Sequence, residues 1–506
     1  MVMKQHDLKI VNAIIVDGSG APGRPGELAV RGGRIAAVAQ RVSGAADKVI
    51  DAAGRMVSPG FIDLHTHCMP GPCDNFLQCG VTLVVGGNCG FSPLDMDELS
   101  GQCRGACGPN IAMLIGHNSV RMKAMGNVSR KPSASEMGQM RELVESACKG
   151  GACGFSTGLT YVPGNYAETA EVIELARAAA PHGAYYTSHM RDEGAGLLDS
   201  IRETVEIARA ASMPAHISHI KASGVKHHGK STDALRLLDE YSTQGLDVTQ
   251  DQYPYTASCG RILLLFPAWA QEGGEAEMRA RLSGRAQRAR LKEEVIAKLA
   301  DAYGSDGGRV IVSSAPDASL GGKTLAQVAA SQGRSGSPAD LAETILEIVE
   351  RFPSQTAIFC VFHSIAENDL QAFMRHPNTA VGSDAWAPAA GDALPHPRAF
   401  GTFPRVLGRY ARDLGIFTME EAVRRMTGLP AARLKLNDRG TLREGAWADI
   451  VIFDPKTVID RATFNNPRQY PSGIGLVLVN GVAVIENGAY TGALPGLFVS
   501  SGRATA

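Results

Sequence analysis

The sequence is short of several things, and each shortage closes a class of function. Net charge is nearly absent: 50 Lys and Arg stand against 51 Asp and Glu, leaving −1 at pH 7. A nucleic-acid or anionic-membrane surface needs a basic excess, so neither partner is expected. No run of about 18 apolar residues occurs, so no membrane-spanning helix is expected. The opening Met-Val-Met-Lys-Gln-His-Asp lacks the apolar centre of a signal peptide. The ten cysteines show no regular disulfide spacing in so long a chain. They are read as reduced thiols, and the chain as cytoplasmic. Cys68, Cys73 and Cys79, and later Cys103 and Cys107, cluster without zinc-ribbon spacing, so a structural zinc there is a minor expectation. Aromatics are scarce at 6%, whereas Gly is abundant at 57. That balance suits an α/β protein with many tight turns. A chain of 506 residues has room for a large core and a second module.

The most informative feature present is Phe61-Ile-Asp-Leu-His-Thr-His67, following Ser58-Pro59-Gly60. It reads as a buried strand ending in two imidazoles. Positions i and i+2 of a strand point the same way, so His65 and His67 can converge on one point. Imidazole is the commonest metal-ligating side chain.

Glycine-punctuated strands fill residues 8–60, and the same texture returns in Asp449–Asp454, Gly475–Val479 and Val482–Ile485. This pattern predicts a small β domain built from both termini, residues 1–60 and 433–506. Between them, residues 61–432 alternate strands with helices. Strand candidates are 61–67, 81–86, 111–116, 152–156, 184–189, 215–219, 246–250 and 379–382. Helices are expected at 134–149, 169–180, 196–211 and 232–244. Repeated βα units imply a parallel sheet, and about eight of them favour a closed barrel. Two surplus strand-like runs, 309–313 and 356–362, go with an insertion at about 260–355, read as a lid. The expected fold class is therefore α/β: a (β/α)₈ TIM-like barrel, a small β-sandwich domain formed by both termini, and an inserted lid segment.

Catalytic side chains of such barrels sit at the C-terminal ends of the strands. There the sequence places His65 and His67, then Cys89 in Gly86-Gly-Asn-Cys-Gly-Phe91, His189 in Thr187-Ser-His-Met-Arg-Asp-Glu193, His219 in Ile217-Ser-His-Ile-Lys221, and Asp384 in Gly382-Ser-Asp-Ala385. A lone strand-end His is more often structural, a buried Cys is usually a small hydrophobe, and a Ser-Asp turn is often only a cap. Their coincidence on five strands carries the inference, and the N, S and O donors suit Zn²⁺. His117 and His216 are weaker candidates, His227-His228 read as solvated, and His363 stands near the expected pocket.

These motifs resemble the amidohydrolase superfamily, and most closely its N-acyl-D-amino-acid deacylase branch. The likeness covers essentially the whole chain: GNCGFSP, SHMRDEG, ISHIKASG, DQYPYTA, GSDA, HPRAFGTFPRVLG and GTLREGAWADIVIFD all look like that branch's signatures. Other branches carry a carboxylated lysine on strand four, but here that strand reads Gly151-Ala-Cys-Gly-Phe-Ser-Thr-Gly158. The resemblance gives Cys89 the bridging role instead. It implies a tight zinc on Cys89, His189 and His219, and a weaker second metal position on His65, His67 and Asp384. Asp384 would also be the general base and then the acid. Arg398 and Tyr253 would hold the substrate carboxylate, with Lys221 a further candidate. The implied reaction is hydrolysis of a small N-acyl-D-amino acid to a D-amino acid and a carboxylate. A cyclic-amide hydrolase of the hydantoinase or dihydroorotase kind is the alternative enzyme, and a metal-free scaffold the alternative of another class. The oligomeric state is left open. Three departures bear on specificity: the short loop Cys68–Asp74, Cys259 where the branch often has Ser, and Ser-Asp-Ala in place of Ser-Asp-Gly.

Overall fold

The computed structural model describes residues 5–352, 354, 357–388 and 394–500. Eight parallel strands follow one another around a barrel: Phe61–Asp63, Val81–Gly86, Asn110–Gly116, Gly154–Gly158, Tyr185–His189, Ala215–Ile217, Val248–Gln252 and Thr379–Val381. Val81–Gly86 and Asn110–Gly116 are buried at every position, as expected of strands covered on both faces. The ladder of the first strand stops at Asp63, earlier than its sequence pattern suggests. Its continuation closes the barrel. His65 O accepts from Asp384 N at 2.7 Å, Ala385 O accepts from His67 N at 2.8 Å, and Thr66 bridges Ala385 in parallel.

The expected helices form at 134–149, 169–179, 197–210 and 231–243. The first starts at a capping box, in which Ser133 Oγ accepts from Glu136 N and Glu136 accepts from Ser133 N. This arrangement satisfies two amides that the helix itself cannot.

Strands from both ends of the chain share one nine-stranded sheet, in which Met56–Pro59 pairs with Ile450–Phe453. The latter strand is buried on both sides and uses its alternation to join two cores. Ile450 and Ile452 enter the small domain's own core, while Val451 and Phe453 enter the barrel's. Leu476 and Leu478 divide from Val477 and Val479 in the same way.

Between barrel strands seven and eight the chain makes its long excursion. Ser258–Arg261, Phe359–Phe362 and Val310–Ser314 pair antiparallel in a three-stranded sheet. Helices Arg285–Tyr303 and Pro338–Arg351 pack there into a separate core. Both surplus strand-like runs belong to this insertion, which is wider than the sequence reading; Thr356, where the second was expected to begin, lies outside the described residues. Among the described residues no helix is long and apolar enough to cross a membrane.

The small sheet is pinned to the barrel by a buried polar knot. Arg439 pairs with Asp449 and donates to Asn480 Oδ1 at 2.9 Å. Asn480 Nδ2 in turn donates at 2.9 Å to Asn110 Oδ1 on barrel strand three. Removing one partner of a buried pair strands the other charge. Arg439→Met is therefore expected to lower the unfolding free energy by about 3–5 kcal/mol, read from chemical denaturation. An unchanged midpoint would show that Asp449 is satisfied without it.

Candidate metal centre

The strand-end side chains meet at the C-terminal mouth of the barrel. Cys89 Sγ lies 3.4 Å from His65 Nε2, 3.6 Å from His189 Nδ1 and 3.7 Å from His219 Nε2. Asp384 Oδ1 lies 3.0 Å from His67 Nε2 and 3.6 Å from His65 Nε2. By ligand atoms, His65, Cys89, His219 and Asp384 form one buried group within 4.8 Å, and His189, Glu193 and His219 form another. All six residues expected from the sequence are thus together, although the short contacts run across the expected division into two sets. A zinc bound at about 2.3 Å to sulfur and about 2.0–2.1 Å to nitrogen, at a tetrahedral angle, would hold those donors about 3.6 Å apart. The thiol-to-imidazole spacings match that requirement.

Local backbone geometry aims these groups. Cys89, His219 and Asp384 have φ of 55°, 32° and 53°, in the left-handed region that side chains other than glycine's rarely adopt. Such residues cost about 1–3 kcal/mol each and persist where surrounding contacts fix them. Asn88 supplies some of those contacts, its Nδ2 donating to Val85 O at 2.9 Å and Leu64 O at 3.2 Å. The loop lies directly on strand four. A Cβ at Gly158 would come within 2.1 Å of Cys89 O, and one at Gly116 within 2.4 Å of the Gly90 backbone. The thiol loop therefore fills the ground that a side chain at the end of strand four would occupy.

Carboxylates behind the imidazoles fix their orientation. Asp251 Oδ2 accepts from His216 Nε2 at 2.8 Å and from His65 Nδ1 at 3.3 Å, and its Oδ1 accepts from His219 N at 2.9 Å. Glu193 Oε1 lies 3.0 Å from His219 Nδ1 and 2.5 Å from Lys221 Nζ. A ring that donates through Nδ1 turns its Nε2 lone pair toward the centre. Sequence reading missed Asp251 and Glu193, although both stand inside its quoted motifs. It also missed Asp63, which accepts from His65 N at 3.2 Å and Ser383 N at 2.9 Å, and whose carboxyl burial pushes up to about 7.

The charges are strongly perturbed. Burial alone would push the Cys89 thiol up, but His65, His189 and His219 outweigh it and hold it well below the ordinary thiol value. Asp384 likewise ionises well below the usual carboxylate range, because Arg398, His219 and His67 offset its burial.

The centre opens into a cleft with two lobes. The larger, about 440 Å³, is walled by His67, Cys89, Asp384 and Arg398 on the barrel side and by Arg261, Ser314 and Phe359 of the insertion. The smaller, about 240 Å³, is lined by Lys221, Tyr253 and Glu193 among others. Arg398 is buried, 2.7 Å from Asp384 Oδ2, with Nε unpartnered among the described residues. The guanidinium stacks over Tyr253, 4.9 Å from the ring centroid, and the buried Tyr253 hydroxyl has no hydrogen-bond partner among the described residues.

Other sequence candidates lie elsewhere. His117 pairs with Glu171 at 2.9 Å in a buried cluster with Arg121. His227, read as solvated, is buried and sits 3.0 Å from Asp301, whereas His228 is exposed. His363 packs on Phe464 at 4.8 Å between ring centroids. Cys68 and Cys73 approach to 2.9 Å between sulfurs. No described group of three or more ligand side chains includes them, Cys79, Cys103 or Cys107, so the minor expectation of a structural zinc there finds no support.

Residues 48–485 match the profile of the Amidohydrolase family. The chain belongs to that family. It is 36% identical to the D-aminoacylase of Alcaligenes xylosoxydans xylosoxydans, covering 96% of each chain. It is also 36% identical to the N-acyl-D-glutamate deacylase of the same organism, covering 96% of this chain and 94% of that one. Among solved structures, an N-acyl-D-glutamate deacylase from Bordetella bronchiseptica, complexed with zinc and a phosphonate inhibitor, superposes with a TM-score of 0.83 at 32% identity, covering 98% of this chain and 100% of the other.

Cys89 approaches three of the imidazoles, which makes it the candidate donor most central to this group. Cys89→Ala is expected to lose bound zinc relative to the native protein, as measured by elemental analysis after dialysis. Full zinc retention in the variant would show that Cys89 is only a packed thiol.

Proposed function

We propose that this chain is a zinc-dependent hydrolase of N-acyl-D-amino acids, releasing a D-amino acid and a carboxylate. One observation carries the reading: a Cys89 thiol ringed by three imidazoles shares a cleft wall with Asp384 and with an arginine that retains a free donor. The D configuration is supported by the relatives, both of which are deacylases of D-configured substrates by name.

In this reading Cys89, His189 and His219 hold one metal ion tightly, and His65, His67 and Asp384 offer a second, weaker position. The bound metal supplies a lowered water pKa and polarisation of the scissile carbonyl. Asp384 Oδ1 takes a proton from the attacking water and returns it to the departing amine. Arg398 Nε and the Tyr253 hydroxyl hold the substrate's α-carboxylate, since a planar guanidinium matches a carboxylate in geometry as well as charge. The irregular cysteine spacing in so long a chain suits a reducing, cytoplasmic setting.

The direct test is amine release from N-acetyl and N-formyl amino acids of both configurations. D substrates are expected to turn over and L substrates to lag far behind; no release from any of them would overturn the reading. Asp384→Asn should retain zinc while kcat falls by about 10²–10⁴, and a near-native kcat would take Asp384 out of the proton transfer. Arg398→Lys should raise KM strongly, because a point charge cannot reproduce the fork. The corresponding amide substrate should be poor for the native protein and lose little further in the variant. Equal discrimination of acid from amide by both proteins would move carboxylate recognition to Lys221.

A further inference from the structure

The larger lobe of the cleft contains a second arginine that the reaction above does not use. Arg261 ends strand Ser258–Arg261 and is held in register opposite Phe359 in the insertion's sheet. The side chain is half-buried and lines the same lobe as Cys89, Asp384 and Arg398. Its guanidinium lies 5.2 Å from the ring centroid of Phe91, which stands two residues beyond Cys89. Among the described residues no carboxylate lies within 4.0 Å of it. Comparable arginines elsewhere in this molecule are paired: Arg191 with Glu203 at 2.8 Å, Arg288 with Glu343 at 2.7 Å, and Arg405 with Asp460 at 3.0 Å. A half-buried guanidinium facing a cavity without a counter-charge is costly to keep. Burial pulls its pKa below the ordinary guanidinium value, with Tyr161 acting against that, and an arriving anion would relieve the same desolvation.

We propose that Arg261 binds a second carboxylate of the substrate, making dianionic N-acyl-D-amino acids the preferred class. This rests on the deacylase reading and narrows it. Arg398 accounts for the α-carboxylate, which every amino-acid substrate has. Arg261 accounts for an additional one, carried either by the amino acid's side chain or by a dicarboxylic acyl group. Identity cannot choose among these substrates, being 36% to both a D-aminoacylase and an N-acyl-D-glutamate deacylase.

The test is kcat/KM for the native protein and Arg261→Met on three substrates. N-Acetyl-D-glutamate carries the extra carboxylate on the side chain, N-succinyl-D-methionine carries it on the acyl group, and N-acetyl-D-methionine lacks it. The native protein should favour one of the dianions over N-acetyl-D-methionine by about 100-fold, the size of a charge-assisted hydrogen-bonded contact. Arg261→Met should collapse that ratio, and the dianion affected identifies which end of the substrate Arg261 meets. Arg261→Lys, which keeps a cation on the same strand, should retain part of the ratio and serves if the methionine variant does not fold. The proposal falls if the native protein treats all three alike, if Arg261→Met slows all three equally, or if the ratio survives the substitution. If the native protein releases amine from none of the three, the deacylase reading itself fails and takes this proposal with it. Turnover of all three without preference removes this proposal alone.

Discussion

A buried thiol gives up its proton readily only when cationic groups answer its charge on several sides at once, and the imidazoles at the mouth of this barrel lower the pKa of Cys89 in that way. Three imidazoles from three different strands face the sulfur. They keep that aim because Asp251 and Glu193 occupy the far nitrogens of His65 and His219. The loop carrying the thiol pays for its aim in left-handed backbone and recovers the cost through Asn88 and through glycines at the ends of strands three and four. A larger residue at Gly158 would displace the Cys89 carbonyl and so move the sulfur.

The candidate ligands that the structure brings together were readable in the sequence because each stands in a repeated context, the end of an apolar run followed by polar or small residues. His65 and His67 announce themselves by spacing, and Asp384 by the Gly-Ser-Asp turn. The groups behind them were not readable. Asp251 sits inside a strand whose neighbours are Gln250 and Gln252, so nothing local marks it out. Its significance comes from His65, 186 residues earlier, and His216, 35 residues earlier. Asp63 stands in a core strand with no local mark of its role, which is to accept from the amides of both His65 and Ser383. His227 looked solvated because its sequence neighbours are polar, whereas it is buried and pairs with Asp301 of the insertion. The barrel strands and their helices were legible through periodicity, but Ser258-Cys-Gly-Arg261 carries no β pattern. It is a strand only because Phe359–Phe362 pairs with it, which is why the insertion begins earlier than its sequence suggests.

The insertion differs in kind from the barrel. Its apolar residues close on themselves in a core of their own, with helices Arg285–Tyr303 and Pro338–Arg351 packed over its sheet. A unit with its own core can vary its cavity-facing residues without disturbing the ligand-bearing strands. Arg261, Ser314 and Phe359 occupy that adjustable wall, whereas Arg398 and Tyr253 belong to the fixed one. On the proposed reading, recognition common to all amino-acid substrates and recognition particular to one of them would fall on separately built surfaces.

The seam of the barrel has a consequence for how the molecule comes apart. The hydrogen bonds that join the first strand to the last run from Asp384 N to His65 O and from His67 N to Ala385 O. The residues that shut the cylinder are therefore the donor residues or their immediate neighbours. Parting the seam would separate His65 and His67 from Asp384 in the same motion. An ion bridging those side chains would act as a rivet across the joint, so ring opening and demetallation become one event. Strands four and five, on the opposite side of the cylinder, could fray at their outer ends and leave that joint intact.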